Sequence, residues 1–362
     1  MLNKFKVNKE LFWVSIIFSI GLAIRLSFAL FTPPNLEDLE IFSNFANIIN
    51  RGGNVYSETT IANYSPLWLY FLFLFKKLSL LLDVKIHYII RIFMVIIDCL
   101  NGLLIFQFAK KINFNNRFLS YMVYAFNPAV ILITSYHSNI DAFAIFPLLV
   151  AINLKNKNFK WVWVLATLSI FIKQITAFLF LTLLIYCSKS IKQFITHFLL
   201  SCILFLLSFL PYISAYENII KHVFGHSGVS GYFGLTLFLP EKLVFFLFFL
   251  VMSVIPLLAR FKWKLKIHEA LLLSSLAFII FAPGFFGQYQ LAALVFGSLI
   301  PNLYYLFLST TGLIFLISYY SFANIYNFRH LLWWGALLFL ISRFKYKQIE
   351  WGEDKTSAMN QK

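Results

Sequence analysis

Glu37, Asp38 and Glu40 fall within four residues of one another, in a chain that has only 14 acidic residues. A carboxylate is a natural acceptor for the proton of an attacking hydroxyl, so this cluster is the first candidate for a general base; a solvated loop face is the plainer reading. The other candidates stand inside apolar runs. Asp98 sits between Ile96-Ile97 and Cys99-Leu100, and Arg91 lies seven residues earlier on the same helical face. A charge at mid-bilayer costs about 2.5 kcal/mol or more, so such residues usually face a cavity or a partner. Tyr136-His-Ser-Asn-Ile-Asp141 supplies His137, Asn139 and Asp141, while Lys173-Gln174 interrupts another apolar run and offers a cation for a phosphate. Gly284-Phe-Phe-Gly-Gln288-Tyr289-Gln290 adds amide and phenol groups. His137 and Asp141, at i and i+4, could ligate a divalent metal, but two ligands without a third carry little weight. No metal site is assigned.

The chain around these residues has 362 residues, 60% hydrophobic and 12% charged, with 45 Phe. A soluble domain is roughly 25% charged, so a soluble enzyme, a disordered chain and a secreted disulfide scaffold are excluded. The formal charge of +16 is carried by short basic clusters between apolar runs, the pattern of cytoplasmic loops, and does not point to nucleic acid. Cys99, Cys187 and Cys202 lie in apolar stretches without metal-ligand spacing and read as small core residues. Lys4, Lys6 and Lys9 precede the apolar run Leu11 to Phe31, which resembles an uncleaved signal anchor. The reading is an all-α polytopic protein of the cell membrane with about eleven crossings and both termini cytoplasmic.

The elements that must hold the polar residues follow from this. The first span delivers residues 32–62 to the extracytoplasmic side as a loop with an amphipathic helix from Asp38 to Asn50, its apolar face formed by Leu39, Phe42, Phe45, Ala46 and Ile49, and a stop at Gly52-Gly53. Residues 64–82, interrupted by Lys76-Lys77, read as two short pieces that are re-entrant or interfacial. Spans are expected at 84–109, 118–135 and 139–154, then a broken one at 161–187. Further spans are expected at 194–213, 240–259, 268–284, 288–301, 303–321 and 330–343. Residues 1–345 form one transmembrane domain, and 346–362 a polar cytoplasmic tail. Non-helical backbone survives at membrane depth only where it lines a protein-walled cavity. The breaks at 136–141, 172–175 and 284–290, with the first outer loop, are therefore expected to share one site.

Six short segments in order carry a resemblance to a known family: Asp38 with Glu37 and Glu40 nearby, Gly52 to Tyr56 followed by Tyr64-Ser-Pro66, Asp98, Asn127-Pro128 ahead of Asn139-Ile-Asp141, Lys173, and Gln288-Tyr289. Together they resemble the GT-C superfamily of polyprenyl-phosphate-sugar-dependent glycosyltransferases, in particular the catalytic subunit of the mannosyltransferase that adds the first mannose of GPI anchors, and its bacterial relatives. The resemblance covers about residues 11–185 and a patch near 283–300. The first Asp of the family's element falls on Leu36, and Thr176 replaces the Pro that usually follows the intramembrane Lys.

The resemblance implies a GT-C-like bundle and inverting transfer of a mannose-like hexose from a polyprenyl phosphate to a lipid-linked or surface glycan. It implies no organic cofactor. The expected partners are membrane lipids, the lipid-linked donor, the glycan acceptor and an accessory subunit. Asp38 is the expected base, with Glu37 and Glu40 beside it. Tyr64, Arg91, Asp98, His137, Asn139, Asp141, Lys173, Gln174, Gln288 and Tyr289 are the expected substrate contacts. A transporter or flippase of a lipid-linked saccharide is the rival class, because broken helices and intramembrane acids suit it too. Against it, no internal repeat relates the two halves, and the acidic cluster lies in an outer loop. A catalytically dead accessory subunit is the third reading.

Overall fold

In the computed structural model, which describes residues 2–33, 36–112, 116–155, 159–225, 234–284, 286–320 and 330–342, the protein is all helix, with no strand among the described residues. The expected tail at 346–362 lies outside them. The helices of the first half are α1 (Leu2–Phe31), α2 (Leu36–Asn50), α3 (Val55–Glu58), α4 (Pro66–Leu82), α5 (Ile86–Lys111), α6 (Arg117–Ala125), α7 (Pro128–Ile131) and α8 (Asp141–Leu154). The second half holds α9 (Phe159–Ile172), α10 (Ala177–Cys187), α11 (Ile191–Leu207), α12 (Tyr216–Ile219), α13 (Glu241–Leu257), α14 (Ile267–Phe281), α15 (Leu291–Gly297) and α16 (Leu303–Tyr320). A final helix, α17, spans His330–Ser342.

Three polar ties set the register of α1 against α5 and make the pair antiparallel. Lys110 Nζ lies 2.7 Å from Glu10 Oε1 at one end, Arg25 Nε 2.6 Å from Asp98 Oδ2 in the middle, and Arg91 Nη2 2.8 Å from Phe28 O at the other end. Arg117 also reaches Glu10, at 3.3 Å. The start of α1, the end of α5 and the start of α6 therefore share one end of the bundle, as the basic clusters imply. The described start of α2 belongs to the opposite end, after the 30 residues of α1.

Among the described residues, three helical stretches are long and apolar enough to cross a membrane: Lys9–Phe31, Ile86–Lys111 and Glu241–Lys262. Two bent pairs could each make one more: Arg117–Ala125 with Pro128–Tyr136, bent by 46°, and Ile191–Leu207 with Leu210–Phe224, bent by 61°. Large apolar side chains such as Phe31, Leu81, Ile191 and Phe246 are exposed, the surface expected of helices that face lipid.

The helices at two expected spans, α8 at 139–154 and α14 at 268–284, have only 14 and 15 residues, shorter than a crossing, and two further expected elements differ in kind. Residues 66–82 are one unbroken helix, not two pieces; Lys is a good helix former, and Lys77 lays its ammonium over the Phe73 ring at 5.2 Å without disturbing the backbone. At about 1.5 Å per residue this helix is still short of a bilayer. The span expected at 288–301 is a 3₁₀ turn, Gly287–Gln290, followed by the seven-residue α15. It is far too short to cross about 30 Å, and all seven residues of α15 are buried. Cys99, Cys187 and Cys202 are free thiols.

Candidate active site

The helix carrying Asp38 is placed by its apolar face. Leu39, Phe42, Phe45 and Ala46 are all fully buried, and Phe42 meets the rings of Tyr64 and Trp68 edge-on, each at 5.2 Å. The expected stop is a Schellman end. Gly53 N donates to Ile48 O and Gly52 N to Ile49 O, with Gly52 at φ +79°, a conformation that only Gly adopts without cost. Docked this way on α4, the helix holds Asp38 in its first turn.

Opposite it, Leu132–Tyr136 is a π turn that continues α7. Ser138 then takes the left-handed conformation, φ +60°, which costs a non-Gly residue about 1 kcal/mol or more and recurs at functional sites. The reversal points His137 and Asn139 back at α2. His137 Nε2–H donates to Asp38 Oδ2 at 2.7 Å, and Asn139 Nδ2 donates to the same oxygen at 3.3 Å. Asn139 Oδ1 accepts from the Asp141 backbone N–H at 3.0 Å and from Lys173 Nζ at 3.4 Å. Lys173 is ion-paired with Asp141 and sits 5.2 Å from the Tyr289 ring centroid. One amide side chain thus bridges a carboxylate and an ammonium.

Lys173 occupies a helix break, as the polar pair within the apolar run implies. It is extended, φ −152° and ψ 119°, between α9 and the 3₁₀ turn Gln174–Thr176 that leads into α10. Gln174 Nε2 donates to Asn63 O at 2.5 Å, and Ser65 Oγ lies 3.2 Å from Gln174 Oε1, which ties the break to the first loop. Burial alone would raise the Asp38 carboxyl, but the His137 hydrogen bond and charge, with Lys173 and Asn139, hold it below its ordinary value.

All four expected segments meet at one cavity of about 770 Å³, within the range of small-molecule sites. Asp38, Tyr64, His137, Lys173, Gln174 and Gln288 line its polar end, and Tyr289 joins them. Gln288 is part of this lining, and its buried Oε1 has no hydrogen-bond partner among the described residues. The remainder is phenylalanine-rich, with Phe178 of α10, Phe198 and Phe205 of α11, and Phe245 and Phe248 of α13. Phe249, also on the wall, is 63% exposed, so the cavity opens at the surface beside α13.

Five expected site residues do not line the cavity: Asn139 and Asp141, which are buried and reach it only through Asp38 and Lys173, and Arg91, Asp98 and Glu40, which are placed elsewhere. Arg91 and Asp98 do share a helical face, but it turns to α1 and the π turn rather than to the cavity, so they do not form the substrate track that their spacing implies. Asp98 accepts from Arg25, from Tyr124 and, at 3.1 Å, from Thr134 Oγ1, while Arg91 bonds Thr32 O, Phe28 O and Ser135 O. Glu40 is exposed and does not line the cavity. The side chain of Glu37 lies outside the described residues. The residue that sequence reasoning missed is Arg25. Its signal was present, an arginine within the first apolar run, as costly there as Asp98.

Among the described residues, no group of three or more His, Cys, Asp or Glu side chains is placed to hold a metal ion. No protein-family model matches the sequence, and no curated protein matches it.

Proposed function

We propose that this chain is a membrane-embedded glycosyltransferase that moves a mannose-like hexose from a polyprenyl phosphate to a hydroxyl of a lipid-linked or surface glycan at the extracytoplasmic face. The observation that carries this reading is the pairing of a fixed carboxylate and a cation at the polar end of an apolar cavity that opens to the surface. Asp38, oriented by His137 and Asn139, stands where it can take a proton, and Lys173 stands on the same wall. An isoprenoid chain suits the phenylalanine-rich part, and a sugar phosphate suits the polar end.

In the proposed reaction the acceptor hydroxyl gives its proton to Asp38 as its oxygen attacks C1 of the sugar. The bond from C1 to the phosphate oxygen breaks, its electron pair stays on that oxygen, and configuration inverts. Lys173 stabilises the charge gathering on the phosphate. Asp141 keeps the ammonium in place, and Gln288 Oε1 accepts from a sugar hydroxyl. The order of segments that resembles the GT-C superfamily supports the same reading, and so does the meeting of Asp38, Tyr64, Lys173, Gln288 and Tyr289 from those segments at one cavity.

The test is a transfer assay with the purified chain, a short-chain polyprenyl phosphate bearing radiolabelled mannose, and a mannoside acceptor. New glycosidic product supports the reading. Vesicles in which the chain moves the lipid-linked sugar across the bilayer while no glycosidic bond forms would favour the transporter instead.

A further inference from the structure

Arg91 and Asp98 are buried, charged and away from the cavity, yet both reach the same short segment. Thr134 Oγ1 lies 3.1 Å from Asp98 Oδ2 and 2.9 Å from Val130 O, which share its one proton, and Arg91 Nη2 donates to the Ser135 carbonyl at 3.3 Å. Thr134 and Ser135 are consecutive residues of the π turn Leu132–Tyr136, three and two positions before His137. All four residues are essentially excluded from solvent. A π turn is a rare local state that sequence propensity does not hold by itself, and the left-handed Ser138 that follows is strained. Something outside the segment has to determine its shape. The contacts from α5 do this at two successive residues. The other ends of both anchors are fixed to α1, through Arg25 to Asp98 at 2.6 Å and Arg91 to Phe28 O at 2.8 Å.

We propose that Arg91 and Asp98 are positioning residues: through Ser135 O and Thr134 Oγ1 they set the π turn, and so aim His137 and Asn139 at Asp38. Thr134 is the link in this chain that can be cut without leaving a charge unpaired. Asp98 keeps its bonds from Arg25 and Tyr124 when the threonine hydroxyl is lost. The proposal takes its catalytic meaning from the proposed reaction, but its geometry can be read without any turnover.

The experiment uses the purified full chain and diethylpyrocarbonate, which modifies exposed imidazole, with His137 followed by peptide mass spectrometry. His137 is 1% exposed and held by Asp38, so its modification in the wild type is slow. Thr134→Val, which keeps the shape and removes the hydroxyl, is expected to speed modification of His137 at least fivefold, and Thr134→Ser to restore slow modification. Arg91→Lys, which replaces a planar fork by a point donor, is expected to behave like Thr134→Val, with both melting temperatures within a few degrees of wild type. Unchanged His137 reactivity in both variants would overturn the proposal. Failure of both to accumulate would also overturn it, because the α5 charges would then hold the bundle and not the turn. If wild type transfers no sugar but the reactivity pattern is as expected, the reaction fails and the positioning stands.

Discussion

Asp38 carries the proposed chemistry because three other polar groups keep it ionised and aimed. His137 and Asn139 bond one of its oxygens, and Lys173 sits behind them, itself paired with Asp141. Since these groups hold the Asp38 carboxyl below its ordinary value, its ionised form persists into acid. Transfer should therefore fall only as pH drops through that lowered value, with the acid limb below the usual carboxylate range. His137→Leu removes the main lowering partner, so the limb should move to higher pH; a pH profile of kcat/KM checks this, and an unmoved limb would assign it to another group. Lys173→Met should lower transfer or raise donor KM by about tenfold or more, as expected for loss of a charge-assisted contact, while expression stays near wild type. Failure of Lys173→Met to accumulate would mean that the lysine serves the fold. Asp38, His137 and Lys173 were legible in the sequence because a polar residue in an apolar chain is conspicuous. Arg25 was as conspicuous but was read as part of a span. The partner of Asp98 was not legible, since it depends on the register between two helices 73 residues apart in sequence at the contact.

At the scale of elements, the site is built where helices stop. The Asn127 side chain caps α7 by accepting from Ala129 N and Val130 N, and donates to Tyr305 and Ser309 of α16 at 3.0 and 2.8 Å. The Asn-Pro pair thus has a physical task, starting the helix that ends in the π turn. Asn127→Ala should destabilise by about 1 to 3 kcal/mol, from the lost cap and the stranded hydroxyls; a denaturation midpoint equal to wild type would contradict it. Gly312 supports the other side of the cavity, because a Cβ there would sit 1.7 Å from Gln290 Oε1. Gly312→Ala should therefore displace the 287–290 turn that carries Gln288 and Tyr289, raising donor KM more than it lowers kcat. The breaks at 136–141, 172–175 and 284–290 were legible from polar residues within apolar runs. The continuity of 66–82 was not, because two lysines look like an interruption to hydropathy but not to a helical backbone. The brevity of α15 was hidden for the opposite reason, since a buried helix and a span are equally apolar.

Over the whole molecule, the ties from Glu10 to Lys110 and Arg117 put two basic clusters at one end, and the start of α2 follows from the other end of α1. The proposed orientation, with that basic end cytoplasmic, makes the first loop extracytoplasmic. A Ser57→Cys variant, exposed on that loop, should react with a membrane-impermeant maleimide in intact cells; reaction only after permeabilisation would reverse the orientation. Composition made the all-helical class legible, whereas which helices cross and how they pack around one cavity depend on long-range contacts that no local pattern encodes. The central claim is that one carboxylate at the polar end of that cavity is the base for sugar transfer. The direct measurement is the initial rate of mannose transfer by purified wild type, Asp38→Asn and Glu40→Gln under saturating lipid-linked donor, alongside donor binding. Asp38→Asn should lose about 10² to 10⁴-fold in rate while still binding donor, and Glu40→Gln should stay within severalfold of wild type. Near-normal transfer by Asp38→Asn would contradict the account, most sharply if Glu40→Gln were the variant that had lost it.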